Sequence, residues 1–443
     1  MLAVLREFWG HLRGMVTDTL RVYWRLFPQL TALQLLGYLG HWATRNIASS
    51  LVIFGPWLAV AVFSTGFVLL LAAIIVQLRL IGTHLGINDI APNAAQDDRE
   101  QSTGRLLSIT LLPFLGIYAV LSYIEDSASE MQAYSLSQTG VFATNLLSAF
   151  VPQDGKGWLK MFAILAVTYV VRRGLDLLHE HTEIRVLGLI AAFCESFFLV
   201  SVVLAGTNAL LQGRQFLQDT RAAEFIDLAV AGLAYSLHAL HINLPAFLTW
   251  FGHWFTGQLW PFLRDVFTAP LLWLGVAALI FGTHTLSMAD LWSRGGRASD
   301  AVRQLAREDH RGDRTGSTAG RRAWLEIQEV FFGDIDDKFL PAWQALRLLL
   351  RAGTVFLATF FLLHSVIEQV GSLLRLGLRH LIGGREDTFW MIIDPVLNLP
   401  DQLGLSLRLC LLVVAFQRCL VIFRDRSRAA AAADVGDSAA VKS

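Results

Sequence analysis

Long apolar stretches recur along the chain, separated by polar runs, and their lengths match membrane crossings. A helix traverses a hydrocarbon core of about 30 Å with about 20 apolar residues. Stretches of that kind cover 51–78, 106–124, 158–171, 186–211, 266–286, 348–370 and 403–423. Residues 28–48 are apolar at first and are then interrupted by His41 and Arg45; they count as an eighth span. The predicted fold is an all-α polytopic membrane protein.

The polar connections decide the orientation. Residues 1–27, 79–105, 172–185, 291–345 and 424–443 carry 23 Lys or Arg, against 7 in 46–50, 125–157, 213–265 and 371–402. Cytoplasmic connections near spans hold the excess of basic residues. The pattern therefore predicts about eight transmembrane helices in four outward-opening hairpins, N-in and C-in, with amphipathic interfacial helices. The chain divides into a cytoplasmic N-terminal helix (1–27), a membrane region with six spans (28–290) and a cytoplasmic loop (291–345). Two further spans (346–423), with an outer connection at 371–402, and a disordered cytoplasmic tail (424–443) complete it.

Two interfacial elements stand out. Leu5, Phe8, Leu12, Val16 and Leu20 recur every three or four residues, with Arg6, Arg13, Arg21 and Arg25 beside them. That is an amphipathic helix lying among headgroups, or capping the inner ends of the spans. Within the outer segment 222–263, Phe247, Trp250, Phe251 and Trp254 fall on one helical face. Aromatic rings favour the headgroup level, so residues 244–263 are expected to lie on the outer leaflet or to dip into it, and to serve as an interface.

Composition narrows the classes. Of 443 residues, 54% are hydrophobic and 16% charged, where a soluble domain has about 25% charged. A soluble enzyme, a disordered chain and a nucleic-acid-binding domain are excluded. Formal net charge is zero, but all except four of the 36 basic residues are arginine, a bias typical of GC-rich bacterial coding. Residues 1–27 lack a short apolar core with a cleavage site. The bacterial cytoplasmic (inner) membrane is the expected location. Cys194, Cys410 and Cys419 lie in apolar stretches and form no disulfide framework. The expected partners are the lipid bilayer, docking proteins or a second copy of the chain, and no nucleic acid.

No catalytic motif survives inspection. His179 and His181 are two positions apart and face opposite sides of a helix, so they cannot share a metal; a solvated loop is expected there. The stretch 312–320 is glycine-rich but lacks the lysine of a phosphate loop. His238, His241 and His253 are weak metal candidates with no carboxylate or cysteine to complete the set. No cofactor is expected.

The sharper signals lie inside the spans. A charge at the bilayer centre costs at least about 2.5–3.5 kcal/mol, so each one there is a candidate functional group. Glu195 falls near the middle of 186–211 and reads either as a clamp, paired with an arginine such as Arg45, or as a proton- or cation-coupled site. His41 and Arg45 share a face of the first span, and His364 and Glu368 share a face of 348–370. Arg172 stands at a span boundary, where snorkelling suffices. Pro56 and Pro113 would kink their spans. Three readings follow: a membrane component of a transport or export system for a small or amphiphilic substrate, a non-catalytic scaffold docking proteins through its outer aromatic segment and inner loop, and an envelope or lipid enzyme using outer acids such as Glu386, Asp387 and Asp394. Transport leads, and an enzyme is not expected.

Overall fold

A computed structural model of the chain describes residues 2–87, 118, 123–139, 150, 155–182, 185–218, 250–281, 353–383 and 387–440. All regular structure among them is helical. The helices are α1 (Leu2–Leu51), α2 (Pro56–His84), α3 (Tyr123–Thr139), α4 (Gly155–Thr182) and α5 (Arg185–Gln218), followed by α6 (Ala269–Ile280), α7 (Thr354–Ile382), α8 (Asp387–Leu397) and α9 (Leu399–Ala440). Three described helical stretches are long and apolar enough to cross a membrane: Pro56–His84, Thr354–Ile382 and Ile393–Ile422. Ile190–Gly206 within α5 is a shorter apolar stretch.

α2 is the central helix. Phe63, Phe67, Leu71, Ile74, Ile75 and Leu78 are fully buried, and neighbouring buried residues leave no polar face. A helix apolar all round belongs inside a larger assembly of helices or in lipid. Lipid is as apolar as leucine, so close packing and polar links must hold such helices together. Gly37 of α1 supplies the close packing: a Cβ there would stand 2.6 Å from Ala73 Cβ.

The sequence prepares the turn between α1 and α2. Phe54 N–H donates to Leu51 O at 3.0 Å, Gly55 takes φ 154°, and Pro56 opens α2. A proline at the first helical position loses only an N–H that would have no partner there. Pro56 thus starts its helix instead of kinking it, and the span runs from 56 to 84, not from 51 to 78.

Contacts fix the helix directions. Gln34 of α1 meets Gln77 of α2 and Gln402 of α9, while Asp18 of α1 meets Arg418 of α9. α2 and α9 therefore run opposite to α1. His11 of α1 packs edge-on against Phe356 of α7, and at the other end Arg45 and Arg375 reach one carboxylate, Asp394. α7 runs parallel to α1.

Several boundaries differ from the expectations. Residues 1–27 are not a separate helix: α1 continues through Pro28 for 50 residues, about 75 Å. It is held along that length by α2, α7 and α9. Residues 371–382, expected in a connection, extend α7 to a Gly383 cap with φ 58°, a conformation glycine adopts without cost. The tail expected to be disordered is helical as far as Ala440, in keeping with the high helix propensity of its alanine run. Residues 125–139, expected in an outer connection, form α3 with Glu125 and Asp126 in its first turn, where carboxylates complement the helix dipole. His179–Thr182, expected to be a loop, closes α4. The aromatic segment from 250 onwards is continuous, through two π-helical turns (Phe255–Leu259 and Arg264–Thr268), with α6. Trp250, Phe251 and Trp254 are exposed on that rod. The loop 291–345 and Phe247 lie outside the described residues.

Candidate functional site

Three buried polar systems cross the helical assembly. The first is a ladder of neutral groups. Ser406 Oγ donates to Gln77 Oε1 at 3.0 Å, Gln77 Nε2 to Gln34 Oε1 at 2.8 Å, and Gln34 Nε2 to Gln402 Oε1 at 2.7 Å. It ties α1, α2 and α9 together. An amide buried without partners costs several kcal/mol in an apolar medium, so the ladder also fixes the register of the three helices. Sequence reasoning singled out none of these four residues, because a neutral amide or hydroxyl in an apolar stretch raises less alarm than a charge.

The second system is a single ion pair. Arg172 Nη2 of α4 lies 3.0 Å from Glu195 Oε1 of α5, and the two residues are 5% and 3% exposed. Arg172 is therefore buried rather than snorkelling, and Glu195 meets Arg172 rather than Arg45. Next to Glu195, Ser196 Oγ donates to Ser64 O of α2 at 3.0 Å, which docks α5 onto the central helix.

The third system surrounds a recess of about 480 Å³ between α1, α3, α6, α7 and α9. Arg45 of α1 pairs with Glu130 of α3 and lies 3.5 Å from Asp394 of α8. Arg375 of α7 stands 3.9 Å from Asp394 and 3.6 Å from Asp401. Arg408 of α9 reaches Glu368 at 3.5 Å, and His364 Nδ1 is 3.9 Å from the same carboxylate. The site therefore brings His41, Arg45 and Glu368 to one cavity, with His364 just behind, and leaves Glu195 elsewhere.

Exposure falls along this recess. The side chains of Glu130 and Arg375 are 51% and 47% exposed, those of Arg45 and Arg408 14% and 19%, and His41 is buried. The mouth is thus charged and wet, and the floor is dry. Aromatic groups form the inner wall: Tyr38, Trp42, Tyr118, Tyr123 and Trp273. Tyr118 and Tyr123 lie with centroids 5.0 Å apart, and Trp273 meets Tyr118 edge-on at 6.4 Å. Tyr38 Oη donates to Pro395 O at 3.4 Å.

His41 sits at the back of the recess. Its ring packs 4.8 Å from Phe67 and 6.0 Å from Phe63. Nδ1 faces Gly66, where a Cβ would come within 2.8 Å of it. Neither Nδ1 nor Nε2 has a hydrogen-bond partner among the described residues. On α3, burial raises the Glu130 carboxyl above its ordinary value, while Arg45 pulls it down.

A volume of this size falls in the range of small-molecule sites, which combine apolar walls with a few convergent polar groups. Sequence reasoning found His41, Arg45, His364 and Glu368 as ionisable residues in apolar stretches. It missed Arg408 inside the last span and the rest of the recess: Glu130, Arg375 and Asp401 lie near span ends, where a charge raises no alarm. Among the described residues no group of three or more His, Cys, Asp or Glu is arranged to hold a metal. His253 is exposed, and His238 and His241 lie outside the described residues. No family model, curated protein or solved structure matches the chain.

Proposed function

We propose that the chain is a multi-pass inner-membrane protein, with eight spans and both termini cytoplasmic, that binds a small or amphiphilic solute in the α1–α7–α9 recess as part of a transport or export system. The observation that carries this reading is the recess itself, with three arginines and their carboxylates facing an aromatic wall halfway along the central helix, where Leu70 lines it. Charges of this kind within apolar helices are costly, and in membrane proteins they mark solute and ion pathways. The antiparallel run of α1 against α2 and α9 fits the hairpin order. The excess of Lys and Arg in residues 1–27 and the connections grouped with them favours the Arg45 end of α1, and with it the mouth, facing outward.

Glu195 enters this reading as a clamp. Its partner is one helix away, and neither Glu195 nor Arg172 lines the recess.

The test is native mass spectrometry of the full chain released in mild detergent. The reading expects a bound small molecule that is lost from Arg408→Gln. A stoichiometric protein partner with no bound small molecule would overturn it in favour of scaffolding. That second reading draws on the exposed Trp250, Phe251 and Trp254 of the rod before α6, since exposed aromatic patches mark partner or membrane contacts.

A further inference from the structure

We propose that the recess recognises a small protonated amine bearing an apolar substituent, an alkyl- or arylammonium. The inference rests on the reading of the recess as a solute site and names the chemistry of its ligand.

Charge points to a cation. Asp126, Glu130, Glu368 and Asp401 line the recess against Arg45, Arg375 and Arg408. Each guanidinium faces a carboxylate: Arg45 meets Glu130 and Asp394, Arg375 meets Asp394 and Asp401, and Arg408 meets Glu368. The buried Arg408 Nε has no hydrogen-bond partner among the described residues. An incoming anion would have to displace a carboxylate held by the fold. An incoming cation meets a lining of four acids and three bases, in which Asp126 belongs to none of these ion pairs.

The wall points the same way. Tyr118, Tyr123 and Trp273 meet one another at centroid distances of 5.0 and 6.4 Å and with their planes inclined. Inclined rings around one space present π faces and electron-rich oxygens to whatever fills it, and an ammonium is attracted to such faces within about 6 Å. The apolar substituent has Leu70, Ala269 and Leu405 to lie against.

His41 supplies an independent indication. It is 3% exposed, it lines the recess, and Nε2 lacks a hydrogen-bond partner among the described residues. A buried polar atom without a partner is rare in native proteins. With Nε2 as the acceptor, an ammonium N–H satisfies it; a quaternary ammonium or a hydrocarbon cannot. The three features together describe one ligand: a cation with a hydrogen to donate and a flat or branched apolar body.

The experiment is calorimetric titration of the full chain in detergent with three probes of similar shape: 2-phenylethylammonium, 2-phenylethanol and phenylacetate. The proposal expects saturable binding of the ammonium, binding of the alcohol weaker by about tenfold or more, and no displacement of the ammonium by phenylacetate. His41→Leu should weaken the ammonium about tenfold, and the alcohol as well, since its hydroxyl can donate to the same imidazole; an unchanged ammonium affinity would remove His41 from the site. Asp126→Asn, on an exposed rim carboxylate that does not threaten folding, should weaken the ammonium by a few-fold and flatten its salt dependence. Equal binding of the alcohol, displacement by phenylacetate, or no saturable ammonium binding would overturn the proposal. The two readings fail separately. A co-purifying anionic or neutral solute lost in Arg408→Gln would leave the solute site standing and remove the amine. Ammonium binding without movement into liposomes would leave the amine site and remove transport.

Discussion

The ion pair between α4 and α5 and the charged recess between α1, α7 and α9 answer the same chemical difficulty in opposite ways. At the first, an arginine and a glutamate face each other at 3.0 Å, both buried. At the second, arginines and carboxylates share partners: Asp394 serves both Arg45 and Arg375, and the outermost side chains are half-exposed around a cavity. A fully buried pair has few arrangements that satisfy it, so it locks two helices. A shared, partly hydrated network has several, so a group can change partner when a ligand arrives. The contrast separates a clamp from a site, although both begin as ionisable residues in apolar sequence.

The largest effect should come from breaking the clamp. Glu195→Ala removes the carboxylate that faces the buried Arg172, at a cost of up to roughly 3–5 kcal/mol, and should sharply reduce recovery of monodisperse protein. The double substitution Arg172→Met with Glu195→Leu should restore much of it, because a well-packed apolar pair replaces an ion pair at little cost. Size-exclusion profiles of the three variants check this. Normal folding of Glu195→Ala, with solute binding lost, would move Glu195 from clamp to site.

The amide ladder tests the intermediate case, neutral and fully satisfied. Gln77→Leu removes two hydrogen bonds and strands Gln34 Oε1 and the Ser406 hydroxyl. The expected loss is about 1–3 kcal/mol, read as a lowered thermal midpoint in detergent. An unchanged midpoint would mean that the ladder contributes register and not stability.

Within the recess the balance reverses. Arg45→Gln should lower stability by at most about 2 kcal/mol, because Asp394 keeps Arg375 and Glu130 is half-exposed. Ammonium binding should rise severalfold, because the lining loses a positive charge and Glu130 loses its arginine. A midpoint shift as large as that of Glu195→Ala, measured on the same preparation, would make Arg45 another clamp and erase the contrast.

The smallest effect concerns pH. Glu130 has a folded-state carboxyl raised above its ordinary value, chiefly by burial, with Arg45 opposing. The folded chain then binds this proton more tightly than the unfolded one. The stability it contributes is full below the ordinary carboxylate range and is lost as pH rises through the raised value. Thermal midpoints measured across that window should decline for the native chain, and the decline should be shallower in Glu130→Gln. Identical slopes would show that the mouth carboxylate is solvated as fully as in the unfolded chain.

Much of this was legible in the chain before folding. Apolar run lengths marked 51–78 and 403–423, which cover most of the helical stretches 56–84 and 393–422, because hydrocarbon-compatible length is a local property. His41, Arg45, His364, Glu368 and Glu195 were visible as charges or imidazoles where none belongs. The spacing of His364 and Glu368 placed them on one face, and they do meet at 3.9 Å. Boundaries were less legible. α1 runs on past Pro28 because α2, α7 and α9 pack along it, whereas α7 runs past residue 370 with most of the added residues exposed and Arg375 tied to Asp394 and Asp401; hydropathy registers neither.

By itself, then, the sequence determined the helical character, the central apolar helix and the presence of ionisable groups needing partners. The reason is that helix propensity, apolar run length and the cost of a buried charge all act within a few residues. Tertiary structure alone decided the partnerships. Arg172, not Arg45, neutralises Glu195; Gln34, Gln77, Gln402 and Ser406 form one ladder; and Asp394 and Arg375 come to the side of Arg45 from about 330–350 positions away in the chain. Such pairings depend on which helix faces which and at what height. A chain read in order holds no distance between residue 45 and residue 394, and the recess exists only where that distance closes.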